Sequence, residues 1–445
     1  MELIQLVDAA EDLLQKSGAD EWEVVSARSQ SLNIGVLKGE VDKFQQSSTA
    51  GMAIRVVKNG RLGFSYLMGA GTNNLAGAVA EALASAAGSD LVQDAGFAGQ
   101  TSALAEPDVF DPALSQEPVE KKKERALALA QAALAADSRV VHVHPAEVEE
   151  ATSQVHLRNS HGLDVARQGT VVSAGALAIA TDGKGQEMGW EGDSTRFLAD
   201  LDVARIGERA GKQAAAYLGA KPVPDGRYDL ILENQVAAEF LSLLAASFLG
   251  DNLVKGRSML VGQEGRLCAS PMVNIIDDGL YPRGLGSAPF DGEGSPQGRT
   301  VLVEEGVLRG FVYDRLWGWR NQAKSTGNAV RGSLKAPPGV GFTNLHLVSG
   351  EPSFEEMVSE MGRGLVISEI MGGHTADPVS GEFSFGAAGH LVEGGRLGRP
   401  VKSIAIAGQV LEVFKAVKAV GSDLRFFGRT GAPSLLVAGQ SVSGP

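Results

Sequence analysis

The sequence holds a single cysteine, Cys268, among 445 residues, and only 6% of its residues are aromatic. One thiol cannot close an intrachain disulfide or build a zinc cluster, so a reducing compartment is expected, with Cys268 as a small buried apolar group. Basic charge is also in deficit: 40 Lys and Arg against 53 Asp and Glu give a formal net charge of −13. Nucleic acid and anionic membranes are held by basic surfaces, so neither is an expected partner. Long apolar runs are missing as well. The most apolar stretch, Val236 to Gly250, is broken by Glu239 and falls short of the about 20 residues of a membrane helix. The opening segment MELIQLVDAAEDLLQKSG spreads acidic residues through an amphipathic pattern without a basic start. This predicts a helix rather than a secretory leader, and a cytoplasmic protein.

Several catalytic signatures are absent too. There is no Gly-x-Ser-x-Gly elbow, no Gly-x-x-x-x-Gly-Lys-Ser/Thr loop and no Cys-x-x-Cys pair. Gly69-Ala-Gly-Thr precedes a helix but lacks the lysine of a phosphate loop, so it reads as a turn.

What is present is an ordinary globular composition, 44% hydrophobic and 21% charged, long enough for two domains. Apolar residues at Leu3, Leu6, Val7, Ala10, Leu13 and Leu14 predict a first helix over 2–17. Strands are expected around 23–27, 31–37 and 50–57, then an Asn59-Gly60 hairpin turn into 62–67. An alanine-rich helix over 73–87 follows. Residues 94–116, rich in Gly, Ala, Pro and Asp, read as a long surface connection before a helix from Pro118 to Ala136. Strands over 140–179, turning at Asn159 to Gly162, and a helix over 203–218 close the first half. Two prolines and turn residues in Gly219 to Gly226 mark the boundary. The second half opens with a strand at 228–232 and a helix over 235–249, and turns β-rich beyond 256. The fold class expected is therefore α+β, a mixed N-terminal domain over 1–222 and a β-rich C-terminal domain over 223–445.

Stretches of the second half resemble the TldD/PmbA family, also labelled modulator of DNA gyrase. They are Asp291-Gly-Glu-Gly-Ser-Pro296 with the hairpin to Gly310, Ser325-Thr-Gly-Asn-Ala329, Gly381-Glu-Phe-Ser-Phe385, Gly394-Gly-Arg-Leu-Gly-Arg-Pro400-Val-Lys and Val420-Gly-Ser-Asp-Leu424. Phe44-Gln-Gln, the hairpin over 51–63 and Asn159-Ser160 carry the resemblance through the first half. The family's catalytic branch, TldD, is similar to a zinc peptidase with a His-Glu-x-x-x-His helix and a later cysteine. Such histidines, near enough on one face, ligate zinc, and the glutamate acts as base for metal-bound water. By that resemblance the histidine positions here hold Leu241 and Ala246, the glutamate position Ser242, and the cysteine region Phe427-Gly428-Arg429. Apolar replacements suit a buried helix without metal, since an unpartnered buried histidine costs about 1–3 kcal/mol.

The resemblance is thus to the PmbA branch, also called TldE. It implies a chain with no catalytic, cofactor or metal residues of its own. A TldD-like catalytic subunit would carry the zinc and form a heterodimer with it to hydrolyse unfolded or leader peptides; alone, the chain could form a homodimer. Two other readings stand beside it. One is an independent hydrolase with a non-standard metal site, for which His374, Asp377, Glu382 and His390 are the best donor set. The other is a homodimeric peptide-binding scaffold, holding extended peptides by strand addition. His142 and His144 share a strand face without a third ligand. Asp277, Asp278, Asp291 and Glu293 read as solvated loop carboxylates.

Overall fold

The computed structural model describes residues 3–69, 74–89, 96–100 and 104–444. The amphipathic start forms α1 (Leu3–Lys16), with Leu3, Leu6, Val7, Ala10 and Leu14 buried. The separate strands expected over the next forty residues are instead two long ones, β1 (Glu21–Leu37) and β2 (Glu40–Lys58). Polar residues do not interrupt them, because the ladder runs on through Ser29↔Thr49 and Ser31↔Ser47 and satisfies the backbone throughout. Asn59 and Gly60, at φ 51° and 69°, turn the chain into β3 (Arg61–Met68), the left-handed pair that a two-residue hairpin demands. Then come α2 (Leu75–Ala86), α3 (Pro112–Gln116), α4 (Val119–Ala135), β4 (Val140–Asn159), β5 (Asp164–Thr181), β6 (Gln186–Thr195) and α5 (Val203–Ala216).

These strands form one antiparallel sheet in the order β3-β2-β1-β4-β5-β6. One face carries two apolar clusters. Helices α1 and α2 cover Trp22, Val24, Met52, Ile54 and Val56, while α4 and α5 cover Leu32, Ile34, Val148, Val172, Ala176 and Ala178. The last two helices touch backbone to backbone: a Cβ at Gly207 would lie 2.4 Å from Leu129 O, and one at Gly211 2.3 Å from Ala133 O. The opposite face is polar over much of its length and looks toward the second half, where Val25 and Leu157 pack against Phe290.

The connection expected to run over the surface at 94–116 is, in its described parts, pinned to the sheet. Phe97, Ala98 and Val109 are buried. Ala98 O accepts from Asn159 Nδ2, Val109 O accepts from Thr170 N, and Asp111 caps α3. Backbone hydrogen bonds to the sheet outweigh a loop-like composition. Ala70, Gly71 and Thr72 of the glycine-rich turn lie outside the described residues.

The second half comprises β7 (Gly226–Leu232), α6 (Asn234–Ala245), α7 (Gly250–Val254), β8 (Ile275–Asp278), β9 (Arg299–Glu304), β10 (Val307–Leu308), α8 (Arg315–Arg320), β11 (Ala329–Val330), β12 (Gly339–Val340) and β13 (Leu345–Leu347). It continues with α9 (Phe354–Met361), β14 (Arg363–Met371), β15 (Glu382–Glu393), β16 (Arg396–Gln409), α10 (Val410–Lys415), β17 (Val417–Val420), β18 (Arg425–Phe427), β19 (Thr430–Ala432) and β20 (Leu435–Ser443). One sheet runs β10-β9-β8-β13-β19-β18, and another runs β16-β15-β14-β7-β20-β17. In the latter β16 also pairs with β20, so five strands close into a ring and hide their edges. Helix α6 is the core of this half. Its Phe240 meets Phe383 edge-on at 5.1 Å and Phe385 at 6.0 Å, and Leu241, Leu244 and Val236 are fully buried. The fold is α+β, with a mixed first half and a β-rich second half. Among the described residues no helix is long and apolar enough to cross a membrane.

Candidate functional site between the two halves

Because α6 is buried on most sides, only one narrow stripe of it reaches solvent: Gln235 and Glu239 are half-buried and Ser242 is exposed. Ser242 Oγ donates to Ala238 O at 2.9 Å and meets Thr430 Oγ1 at 3.5 Å, in the β18–β19 hairpin. The two places that the family resemblance singles out, far apart in sequence, are therefore neighbours in space. Burial raises the Glu233 and Glu239 carboxyls above the ordinary range, Glu369 adding repulsion at Glu239.

A cleft of about 400 Å³ opens between this hairpin and the polar face of the first sheet. Glu147, Glu149, Gly175 and Trp190 line one wall, and Gln235, Phe426 and Phe427 the other. Gly175 is what lets Trp190 lie across the sheet, since a Cβ there would stand 2.6 Å from the indole Cη2. Arg425 of the hairpin pairs with Glu191 of β6, and Lys402 pairs with Glu187. The walls of the cleft are thus tied together by charge.

Farther along β1 the seam closes on a buried network. Arg55 donates from Nε and Nη2 to Glu23 at 2.8 and 2.7 Å, and from Nη1 to Glu293 at 2.9 Å. Arg331 Nη2 joins Glu23 at 3.0 Å, and Glu293 also accepts from Arg315 N at 3.0 Å. Burial opposes the Arg55 charge, and Glu23 and Glu293 outweigh it and hold the guanidinium above its ordinary value. Burial drives Asp314 up to about 7, with repulsion from Glu293. Burial raises Asp291 as well, again with Glu293 adding to it.

The loop carboxylates expected in solvent are largely inside. Asp277, Asp291 and Glu293 are 1%, 1% and 5% exposed, and Asp278 is half-buried. The reason is that each finds donors. Asn328 Nδ2, Thr343 N and Thr343 Oγ1 serve Asp277; Glu293 N, Ser295 N and Ala329 N serve Asp291. Burial pushes Asp277 up to about 6 despite these bonds. Glu23 and Arg55 were missed as site residues. Their signal was a single charge inside an otherwise apolar strand run, Trp22-Glu-Val-Val and Ile54-Arg-Val-Val.

The set His374, Asp377, Glu382 and His390 does not assemble. Asp377 accepts from Val379 N and Ser380 N and closes a turn. His390 lies eight residues beyond Glu382 on β15, roughly 25 Å at about 3.3 Å per residue, with its ring 6.1 Å from that of Tyr217. The rings of His142 and His144 do approach, at 6.3 Å. Among the described residues no group of three or more His, Cys, Asp or Glu side chains is placed to hold a metal ion. Cys268 is buried.

Three domain models of one family match the chain in succession: PmbA/TldA metallopeptidase domain 1 over residues 22–86, the central domain over 112–218 and the C-terminal domain over 225–444. The chain belongs to the PmbA/TldD metallopeptidase family. It is 26% identical over 462 residues to the metalloprotease PmbA of Escherichia coli O157:H7, covering 100% of this chain and 99% of that one. With a metalloprotease of Methanothermobacter thermautotrophicus the identity is 34% over 283 residues, spanning 61% of this chain and 62% of that protein. Among solved structures, a Thermotoga maritima protein named as a modulator of a DNA gyrase superposes with a TM-score of 0.91 at 29% identity, covering 99% and 100% of the two chains. TldE from Thermococcus kodakarensis gives 0.89 at 25%, covering 99% of each.

These names imply a metal in the family. The positions that the resemblance singles out do not fit one: Leu241 and Ala246 are hydrocarbon, Ser242 is a neutral hydroxyl already bonded to Ala238 O, and the facing hairpin offers Phe427, Gly428 and Arg429, which leaves Glu239 as the lone carboxylate of α6 beside them.

Proposed function

We propose that the chain is a non-catalytic partner subunit, of the PmbA/TldE branch, in a cytoplasmic PmbA/TldD-type peptidase complex. A TldD-like subunit carries the zinc, and this chain, through its units 1–222 and 223–445, shapes the chamber that holds unfolded or leader peptides. One observation carries the reading: Ser242 and Thr430 bring the helix and the hairpin side by side, and the positions that the resemblance singles out there, Leu241, Ser242, Ala246 and Phe427 to Arg429, hold no histidine, cysteine or carboxylate. A family architecture kept whole around positions that hold Leu241, Ser242 and Ala246 fits a role in holding or partnering rather than cutting. The open cleft beside it, with Trp190, Phe426 and Phe427 as apolar surface and sheet backbone nearby, suits an extended peptide.

The test is hydrolysis of an unstructured peptide by the chain alone, by the histidine-bearing paralogue alone, and by the mixture. Activity of the mixture well above that of the paralogue supports the partner role. Chelator-sensitive activity of the chain by itself overturns it.

A further inference from the structure

A second, larger cleft of about 550 Å³ lies between β1, β2 and β4 on one side and the segments around Phe290 and Arg331 on the other. Its charge runs against that of the whole molecule. In a chain of net charge −13, Arg28, Arg167, Arg331 and Lys335 line it against one acid, Asp291. Asp291, held by three backbone N–H groups and 1% exposed, is the one acid that offsets them from within the lining.

Two of these arginines are incompletely served. The Arg331 side chain is 8% exposed and gives Nη2 to Glu23 and to Gly292 O, yet its Nε and Nη1 have no hydrogen-bond partner among the described residues. Arg167 has one carbonyl, Phe290 O at 3.1 Å, and the Phe290 ring 5.2 Å below its guanidinium. Burial lowers both, Arg331 to about 10, although Glu23 draws Arg331 the other way and Asp291 does the same for Arg167. Buried donors left unpaired cost free energy that an arriving acceptor recovers.

We propose that this cleft binds a carboxylate-bearing segment of a peptide, with Arg331, Arg167 and Lys335 as its cationic lining. The inference rests on only one part of the reading above, that the chain handles peptides, and does not need the partner subunit. Guanidinium to carboxylate is the strong, charge-assisted pairing that would distinguish an acidic peptide from its neutral isostere.

The test uses the full chain and three fluorescently labelled, unstructured peptides of equal length. One has internal Asp and Glu with an amidated end, one has Asn and Gln in their place with a free C-terminal carboxylate, and one is neutral at both. Anisotropy should give about tenfold tighter binding for whichever carboxylate the cleft takes, weakening as salt rises. Tighter binding of the first peptide assigns the side-chain source, and of the second the chain end. Lys335→Glu, at an exposed position, should erase several-fold of the preference; Arg331→Gln should erase more, and Lys335→Glu decides if that variant does not fold. Equal binding of all three peptides overturns the inference and leaves the partner reading standing. Binding of none overturns it too, and the mixed-subunit assay then judges the partner reading separately.

Discussion

The seam between the two halves has two ends roughly 40 Å apart along β1, and they solve the same problem in opposite ways. Around Glu23 and Arg55 the interior concentrates charge, every member of the pair anchored by another. Around α6, where relatives of the chain are named metalloproteases, the interior face holds Leu241 and no ionisable group takes the neighbouring Ser242 and Ala246 positions. The difference teaches that a side chain keeps its charge in such a seam where a counter-charge stays with it, whereas beside α6 burial, with Glu369 adding repulsion, pushes Glu239 toward its neutral form. Remove the partner and hydrocarbon is the stable replacement.

Breaking the charged end should have the largest effect. Arg55→Met leaves Glu23 and Glu293 buried without their common cation, and a loss of about 3–5 kcal/mol in urea unfolding is expected. A loss below about 1 kcal/mol would show that water already solvates the network.

The converse change puts an ionisable group where none is supported. Leu241→His should cost about 1–3 kcal/mol, and zinc should not restore the melting temperature, because Ser242 and Ala246 supply no further ligand. Zinc-dependent recovery would reveal a donor set that the present geometry lacks.

A titration sharpens the contrast. Asp314 at about 7 and Asp277 at about 6 hold protons in the folded chain that an unfolded carboxyl, near about 3.9, has released. Their contribution is therefore full below about pH 4 and is lost as pH rises toward 7. Asp314→Asn keeps the cap on Trp317 N and removes one titration. Relative to this variant, the wild-type chain should lose about 1–2 kcal/mol between pH 4 and 7, an intermediate response of the interior moderating the shift. Parallel curves for the two chains would place Asp314 in contact with water.

The smallest effect is expected at Ser242→Ala. An exposed hydroxyl bonded to its own helix should change stability by less than about 0.5 kcal/mol and leave the mixed-subunit activity unchanged. Loss of that activity would give Ser242 a role in the chemistry.

Much of the fold was legible in order and type. The spacing of Leu3, Leu6, Val7 and Ala10, the Asn59-Gly60 pair and the apolar run at Val236 each encode their element locally, through side-chain period and backbone preference. The unbroken length of β1 and β2 was not, because Gln45 to Ser48 have no strand pattern of their own and are held by the opposite ladder. The candidate site was legible only as a set of missing donors at Leu241, Ser242 and Ala246. That Thr430 stands beside them, and that Asp277 is enclosed rather than solvated, depends on chain segments fifty or more residues away, and Asp291 takes a donor 38 residues on.

By itself, then, the sequence determined the family, the α+β class and the residues that stand at Leu241, Ser242 and Ala246, since each follows from residue identity in a local pattern. Only the tertiary structure decided which carboxylates are buried, that Arg55 and Arg331 share Glu23, and that an acidic chain encloses a basic cleft. Those outcomes follow from desolvation and pairing across the seam, and both are properties of neighbours in space that no local pattern records.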